Sequence, residues 1–243
     1  MKKNFGLQMF SLRDVSADYE TAFKKTAEMG FAGVEFAGYY GLSKEQMKEM
    51  LEKNGLRAFS THLGPDRLRA ALKEEIEYNL YVGNRHIVCP FYPIKTADDV
   101  LRAAEEFNEW AEICEQNGMK FGYHNHDFEF KPLEDGRIPM DILIENTSDK
   151  VKLQPDTRWV RAGGLKPEEF IQKNSDRILS LHLQEYGEDG GSPELGCGVL
   201  DWKAIYEAGE NAGAEFYILE QELYTLPVYD SIALCAQNIE KIF

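Results

Sequence analysis

Short apolar runs alternate with longer amphipathic segments from one end of the chain to the other. The short runs are rich in β-branched and aromatic residues, which favours buried strands, whereas the longer segments repeat their apolar residues at helical spacing. Regular alternation of strand and helix indicates repeated βα units around a parallel sheet. The predicted strands are Phe5 to Phe10, Gly33 to Phe36, Leu56 to His62, His86 to Cys89, Met119 to His126, Val151 to Pro155, Ile178 to Leu183 and Phe216 to Leu219.

One helix is predicted after each strand. Ser43 and Gln46 form a capping box at the start of the second helix, and Gly55 ends it. Eight βα units at roughly 30 residues each favour a (β/α)8 TIM barrel of the α/β class over a doubly wound open sheet. No linker divides the chain, so a single domain over residues 1–243 is predicted. The predicted helices are Tyr19 to Met29, Ser43 to Asn54, Asp66 to Val82, Ala97 to Asn117, Met140 to Asn146, Pro167 to Lys173, Asp201 to Asn211 and Val228 to Phe243.

The chain carries a large excess of acidic side chains, 42 against 27 basic ones, for a net charge of −15. This charge repels polyanions and argues against nucleic acids and anionic membranes as partners, so a small neutral or metal-bound ligand fits better.

No apolar run has the length of a signal peptide or a transmembrane helix, which favours a cytosolic (cytoplasmic) protein. The four cysteines are far apart, so neither a disulfide framework nor a cysteine zinc site is predicted.

Polar residues lie where the predicted strands end, which is where a TIM barrel collects its functional side chains. Units five to eight each supply a histidine, an aspartate or a glutamate to the same rim. Imidazole and carboxylate together suit Mn, Zn, Co or Fe, and mostly carboxylate suits Mg. Any one of these residues has an ordinary alternative as a helix cap or a buried polar group, but their agreement over four consecutive units favours a divalent metal site. In chain order the polar residues are Gln8, Arg13, Glu35, His62, His124, His126, Glu129, Asp156, His182, Gln184, Glu185, Glu220 and Glu222.

The run FGYHNHDFEF, residues 121–130, holds two of the five histidines of the chain. His124 and His126 are two residues apart on a predicted strand, so both point to one face, which in a barrel is the lumen near its mouth. A neutral imidazole there can bind a metal, hold a sugar hydroxyl or accept a proton near neutral pH. The neighbouring acids Asp127 and Glu129 favour such a role over simple filling of the barrel.

Seven segments occur in the order typical of one family: GLQMFSLRD, GFAGVEF, YHNHDFEF, DTRWVRAGG, HLQEY, GCGVLDW and YILEQE. Through them the whole chain resembles the sugar phosphate isomerase/epimerase family, the xylose-isomerase-like TIM barrels that include inosose dehydratases and ketose 3-epimerases. The resemblance implies one metal ligand from each of strands five to eight, with Asp156, His182 and Glu220 as three of them. In strand five the resemblance does not decide whether His124 or Glu129 is the fourth metal ligand. We favour Glu129, because a ligand set with His124 would contain two histidines and two carboxylates.

The resemblance also implies a metal-dependent isomerase or epimerase. Such an enzyme removes a proton next to the carbonyl of a ketose or keto-polyol and passes through an enediolate. Glu220, or an imidazole of His124 or His126, would remove the proton. Either Glu129 or His62 would return it. The residues predicted to bind the substrate are Gln8, His62, Arg158, Trp159 and Gln184.

Other functions stay open at this point. A metal-dependent lyase or dehydratase, or a hydrolase, would use the same residues on a keto-inositol or a 3-keto-glycoside, and a non-catalytic carbohydrate-binding barrel would need no metal. Gln184 and Glu185 stand where many relatives have Lys-Asp, so the resemblance does not imply a phosphorylated sugar. Barrels of this kind often form dimers, and the run Cys89 to Pro93 is a candidate contact for a homodimer.

Overall fold

Eight parallel strands and the helices between them form a nearly closed barrel in a computed structural model, which describes residues 4–243. Each pair of neighbouring strands in the sheet is parallel. The predicted TIM barrel is therefore confirmed. The strands are β1 (Phe5–Gln8), β2 (Gly33–Phe36), β3 (Arg57–His62), β4 (His86–Cys89), β5 (Lys120–His124), β6 (Val151–Gln154), β7 (Ser180–Leu183) and β8 (Phe216–Leu219).

The two ends of the sheet meet between β6 and β7. The strand order is β6-β5-β4-β3-β2-β1-β8-β7, and two single parallel bridges, Leu153 to Ile178 and Asp156 to His182, connect the end strands. The second bridge lies at the carboxyl ends of the strands. Closure of the barrel therefore places two of the predicted metal ligands side by side.

Each strand of the described residues is followed by at least one helix, and none of these helices is long and apolar enough to cross a bilayer. The capping box predicted before the second helix is present, because the Ser43 amide donates to Gln46 Oε1 at 2.9 Å. Gly55 ends that helix in the left-handed region at φ 65°. The helices are α1 (Tyr19–Glu28), α2 (Lys44–Asn54), α3 (Pro65–Tyr81), α4 (Ala97–Gln116), α5 (Pro139–Asn146), α6 (Thr157–Ala162), α7 (Pro167–Lys173), α8 (Trp202–Ala212) and α9 (Val228–Ile242).

Strand β1 and helix α6 are among the elements that differ from the prediction. Strand β1 ends at Gln8 and not at Phe10, because the Gln8 side chain accepts a 2.9 Å hydrogen bond from the Phe10 amide and starts a 3-10 helix, Met9–Asp18. The sequence does not predict α6, since six residues are too few to show an apolar period. Asp156 caps this helix by accepting a 2.9 Å hydrogen bond from the Trp159 amide.

An aromatic pair fills the amino-terminal end of the barrel. Phe59 of β3 stacks on Phe216 of β8 with ring centroids 4.1 Å apart. A Cβ atom on Gly6 or Gly33 would lie 2.6 or 2.5 Å from the Phe59 ring, so glycine at these positions makes room for it. Farther along β1, Gln8 lies on the same face as Gly6 because side chains alternate along a strand. The interior is thus apolar at one end and becomes polar toward the carboxyl ends of the strands.

We expect Gly6→Ala to lower the free energy of unfolding by about 1–3 kcal/mol, because the added methyl group overpacks against Phe59. Most of this loss should disappear in a Phe59→Leu background, where the ring is gone. Urea unfolding of the wild type, both single variants and the double variant measures the coupling between the two sites. An equal loss in both backgrounds would contradict the packing described here.

Candidate metal centre

Four buried side chains converge at the carboxyl ends of β5 to β8. His124 ends β5, Asp156 follows β6, His182 lies within β7 and Glu220 follows β8. Each offers one nitrogen or oxygen atom, and these atoms all lie within 4.8 Å of one another. We call these four residues the ligand cluster.

Two atoms of the ligand cluster have no hydrogen-bond partner within residues 4–243. They are His124 Nδ1 and Asp156 Oδ2, and both are buried. Leaving a buried polar atom unpaired costs about 1–3 kcal/mol. A divalent cation would pair with both atoms, and two imidazoles with two carboxylates suit Mn, Zn, Co or Fe. The residues present therefore fit a divalent metal ion.

His182 lies between two carboxylates. Its Nδ1 is 2.9 Å from Glu220 Oε2, and its Nε2 is 2.5 Å from Glu35 Oε1. Burial by itself lowers the pKa of an imidazole, but the two carboxylates outweigh it and raise the pKa of His182 well above its ordinary value. The position between His182 Nδ1 and Glu220 Oε2 therefore favours a positive charge, carried either by a proton or by a metal ion.

The surroundings of His124 and Asp156 also favour cation binding. Burial, with His182 and His62 nearby, lowers the pKa of His124 well below its ordinary value, so the ring is neutral and keeps a lone pair. Burial, with Glu220 nearby, raises the pKa of Asp156 well above its ordinary value. A nearby cation stabilises the ionised form of such a carboxylate.

Glu129, the ligand that the sequence favours in strand five, lies outside the ligand cluster. Its carboxylate accepts hydrogen bonds from the Tyr123 hydroxyl at 2.6 Å and from the His126 amide at 2.9 Å, so both oxygens are engaged. The short 3-10 helix Phe128–Phe130 holds Glu129, and no periodic pattern in the sequence reveals this turn. The geometry favours His124 as the fourth ligand.

A cavity of about 330 Å³ opens onto the ligand cluster. Its volume lies in the range of sites for small molecules. His124, Glu220 and His62 line it together with the rings of Phe10 and Phe91, which are 44% and 47% exposed. Phe91 belongs to the run considered as a dimer contact, and here it forms part of the cavity wall.

His126 lies just beyond β5, because that strand ends at His124. The two histidines therefore do not share a strand as predicted, but His126 still lines the cavity, with ring centroids 5.9 Å from Phe128 and 5.6 Å from Trp159. Burial lowers the pKa of His126, and its buried Nδ1 has no hydrogen-bond partner in the described part of the chain. A neutral imidazole in this place can accept a proton from a ligand.

Two residues predicted to bind the substrate, Gln8 and His62, contact Glu35. Gln8 donates to Glu35 Oε1 at 2.6 Å and accepts from the Phe10 amide, so its side chain is used within the protein. His62 Nε2 is 2.9 Å from the same Glu35 oxygen and 2.8 Å from Gln154 Oε1, while its ring lines the cavity. The structure thus brings His62 to the cavity but directs the Gln8 amide elsewhere.

The other predicted substrate residues are Arg158, Trp159 and Gln184. The Arg158 guanidinium lies 3.9 Å from the centre of the Trp159 ring and 4.0 Å from Glu222 Oε2. Arg158 Nε, Arg158 Nη1 and Trp159 Nε1 are buried, with no hydrogen-bond partner among the residues described. Gln184 is fully buried two residues after His182. Buried donors without partners are candidates for contacts with ligand oxygens.

Two glutamates have roles that the sequence does not reveal. Glu35 is fully buried, and although burial favours its neutral form, two histidines hold its pKa well below the ordinary value. The only signal in the sequence is a charged residue inside the apolar strand GVEF. Glu185 accepts from the Gly196 amide at 2.9 Å, the Leu200 amide at 3.2 Å and the Trp202 indole at 2.6 Å. It therefore holds the loop after β7 and does not join the ligand cluster.

The closed sheet and the buried histidines and carboxylates at its rim define a TIM-barrel protein with a candidate metal centre. The sequence model of the xylose isomerase-like TIM barrel family matches residues 23–239, and the chain belongs to this family.

Three known proteins are similar to this chain in sequence or in fold. An inosose dehydratase of Geobacillus kaustophilus is 26% identical over 198 residues, which span 70% of this chain and 63% of the length of that enzyme. A sugar phosphate isomerase/epimerase from Parabacteroides distasonis matches with a TM-score of 0.86 and 23% identity over 99% of this chain and 94% of that chain. A D-psicose 3-epimerase from Clostridium cellulolyticum matches with a TM-score of 0.74 and 17% identity over 98% of both chains. These structural matches show a shared fold.

Glu129 should make stability depend on pH. Burial outweighs its hydrogen bonds and raises its pKa from 4.5 to about 7. Because the pKa is higher in the folded state, the stability that Glu129 contributes is fully present below about pH 4.5 and is lost as the pH rises through about 7. Across this window we expect the unfolding free energy of the wild type to fall by about 3 kcal/mol more than that of Glu129→Gln. Urea unfolding at a series of pH values measures this difference, and identical pH dependence would contradict it.

Proposed function

We propose that this protein is a divalent-metal-dependent isomerase or epimerase that acts on a ketose or keto-polyol by removing a proton next to its carbonyl. One observation carries the proposal: the ligand cluster, with two unpaired buried atoms, borders a cavity of the size of a small molecule. Membership of the xylose isomerase-like family supports it. So do the names of structural relatives that describe sugar isomerases and epimerases.

The ligand cluster supplies the proposed metal site. His124, Asp156 and Glu220 bind the ion together with Nδ1 of His182, the nitrogen that faces Glu220. When bound, a divalent ion supplies Lewis-acid polarisation of the substrate carbonyl and stabilises the negative charge that develops on its oxygen. The donor set suits Mn, Zn, Co or Fe better than Mg, which prefers oxygen ligands alone.

Three side chains on the cavity wall are proposed to move the proton. Glu220 or His126 removes it, and His62 returns it. The Nε2 atom of His62 lies against acceptor oxygens of Glu35 and Gln154, so this nitrogen carries a hydrogen and Nδ1 is left to exchange a proton with the substrate. Glu129 takes no part, because its carboxylate is engaged within the protein.

The substrate is proposed to be held by polar donors and aromatic rings. Arg158 and Trp159 carry buried nitrogens that have no hydrogen-bond partner among the described residues, and the buried Gln184 amide is a third candidate contact for substrate oxygens. Phe10 and Phe91 offer flat apolar surfaces at the cavity mouth. Such a combination suits a sugar or polyol, which has many hydroxyl groups and an apolar face.

Dehydration of a keto-polyol is a second candidate function. It is favoured by the 26% identity to an enzyme named as an inosose dehydratase. Both reactions start with removal of the proton next to the carbonyl. They differ in the second step, where the proton returns to carbon or a hydroxyl group on the adjacent carbon leaves with a proton.

The ligand assignment predicts that His124→Gln lowers metal content and that Glu129→Gln does not. The first change removes an imidazole from the ligand cluster, whereas the second changes a carboxylate outside it. Elemental mass spectrometry of both variants, loaded in turn with Mn, Zn and Co and then desalted, measures the bound metal per chain. Loss of metal in Glu129→Gln but not in His124→Gln would show that Glu129, and not His124, is the fourth metal ligand.

The proposed reaction predicts exchange of carbon-bound hydrogen in heavy water. The metal-loaded wild type should introduce deuterium next to the carbonyl of a ketose or keto-inositol, which proton NMR detects across a panel of sugars. Asp156→Asn keeps an oxygen to cap α6 but removes a charged ligand, so we expect it to exchange more than about 100-fold more slowly.

The products separate the two candidate reactions. A new stereoisomer or aldose indicates epimerisation or isomerisation, and a new absorption of a conjugated enone indicates dehydration. Absence of exchange with every sugar of the panel, by protein shown to hold metal, would contradict the proposed function and favour a carbohydrate-binding barrel.

A further inference from the structure

Glu35 forms the centre of a buried polar network beneath the ligand cluster. Its side chain is fully buried in the middle of the barrel. Donors from five other residues surround the two carboxylate oxygens. Oε1 accepts from Gln8 Nε2 at 2.6 Å and from His182 Nε2 at 2.5 Å, and it also lies 2.9 Å from His62 Nε2, which is hydrogen-bonded to Gln154 Oε1 at 2.8 Å. Oε2 accepts from Gln154 Nε2 at 2.7 Å and from Ser60 Oγ.

One oxygen of Glu35 thus contacts two imidazole rings. An ionised carboxylate only accepts hydrogen bonds, so the Nε2 atom of each ring carries a hydrogen. The other nitrogen of each ring, Nδ1, is then the atom available for chemistry. In His182 this atom faces Glu220 within the ligand cluster, and in His62 it belongs to a ring on the cavity wall.

The Glu35 carboxylate is itself held in place. Gln8 and Gln154 each donate an amide hydrogen to it, one to each oxygen, and Ser60 adds a hydroxyl hydrogen. These donors come from different strands, so the carboxylate cannot turn without breaking several hydrogen bonds. A fixed acceptor of this kind holds the ring of His182 at one angle.

We propose that Glu35 is a positioning residue that directs Nδ1 of His182 toward the metal and Nδ1 of His62 toward the substrate. The inference rests on the proposed function, because it assumes that the ligand cluster binds metal. Metal-binding histidines commonly donate their second N–H to a carboxylate, and loss of such a partner costs about 10- to 100-fold in metal affinity. Glu35 fits this role because it touches His182 but is not part of the ligand cluster.

The test compares Glu35→Gln with Ser60→Ala. Glutamine keeps the shape of Glu35 but loses the charge that the two imidazoles contact. Ser60→Ala removes a donor to the opposite oxygen, where Gln154 still donates, and leaves both histidine contacts intact. Ser60→Ala therefore disturbs the same buried network without touching the proposed function of Glu35.

Affinity for Co²⁺, measured by competition with a chelating dye, provides the main readout. We expect Glu35→Gln to bind Co²⁺ about 10- to 100-fold more weakly than the wild type, and Ser60→Ala to stay within about threefold. The visible absorption of bound Co²⁺ should change in Glu35→Gln only, because it reports the orientation of the ligands. Thermal unfolding without metal shows whether each variant is folded.

A second measurement needs no variant. In wild-type protein loaded with Zn²⁺, nitrogen-15 correlation spectra of the histidine rings should show the His182 hydrogen on Nε2 and the metal on Nδ1. The reverse arrangement would overturn the proposed role of Glu35.

The outcomes separate this inference from the function on which it rests. If the wild type binds no Co²⁺, the proposed function fails. If the wild type binds Co²⁺ and Glu35→Gln binds it equally well, only the role of Glu35 fails. If Ser60→Ala loses as much affinity as Glu35→Gln, the loss comes from general disturbance of the network, and the specific role of Glu35 is again overturned.

Discussion

Closure of the barrel between β6 and β7 is the constraint on which the candidate site depends. Only single bridges join these strands, and one of them pairs Asp156 with His182. On one side β5 brings His124 beside β6, and on the other β8 brings Glu220 beside β7. An open sheet would place β6 and β7 at opposite edges, and the four side chains would not meet.

A buried polar centre replaces the apolar core at this end of the barrel. Burying charged groups is costly unless each has a partner, and most of these groups are matched within the protein. Glu35 contacts His62 and His182, and His182 also contacts Glu220. The atoms left unpaired, on His124 and Asp156, lie where a metal ion would complete the network. The residues at this end of the barrel thus fit a cation at one place, the ligand cluster.

The alternation of short apolar runs and amphipathic segments was enough to predict the barrel, because eight buried parallel strands each leave a clear run. The same pattern places Asp156, His182 and Glu220 at strand ends, so the sequence alone identifies them as candidate metal ligands. Glu129 could not be placed in this way, since a three-residue 3-10 helix sets its direction. The contact of Gln8 with Glu35 could not be predicted either, because it joins residues that are distant in the sequence.

We propose that His124, Asp156, His182 and Glu220 together bind one divalent metal ion. X-ray absorption spectroscopy of the zinc-loaded protein examines the bound ion directly, because imidazole rings give a distinctive multiple-scattering pattern. We expect the zinc ion to have nitrogen and oxygen neighbours that include two imidazoles, from the two histidines of the ligand cluster. A spectrum with no imidazole scattering, or with oxygen neighbours alone, would contradict it.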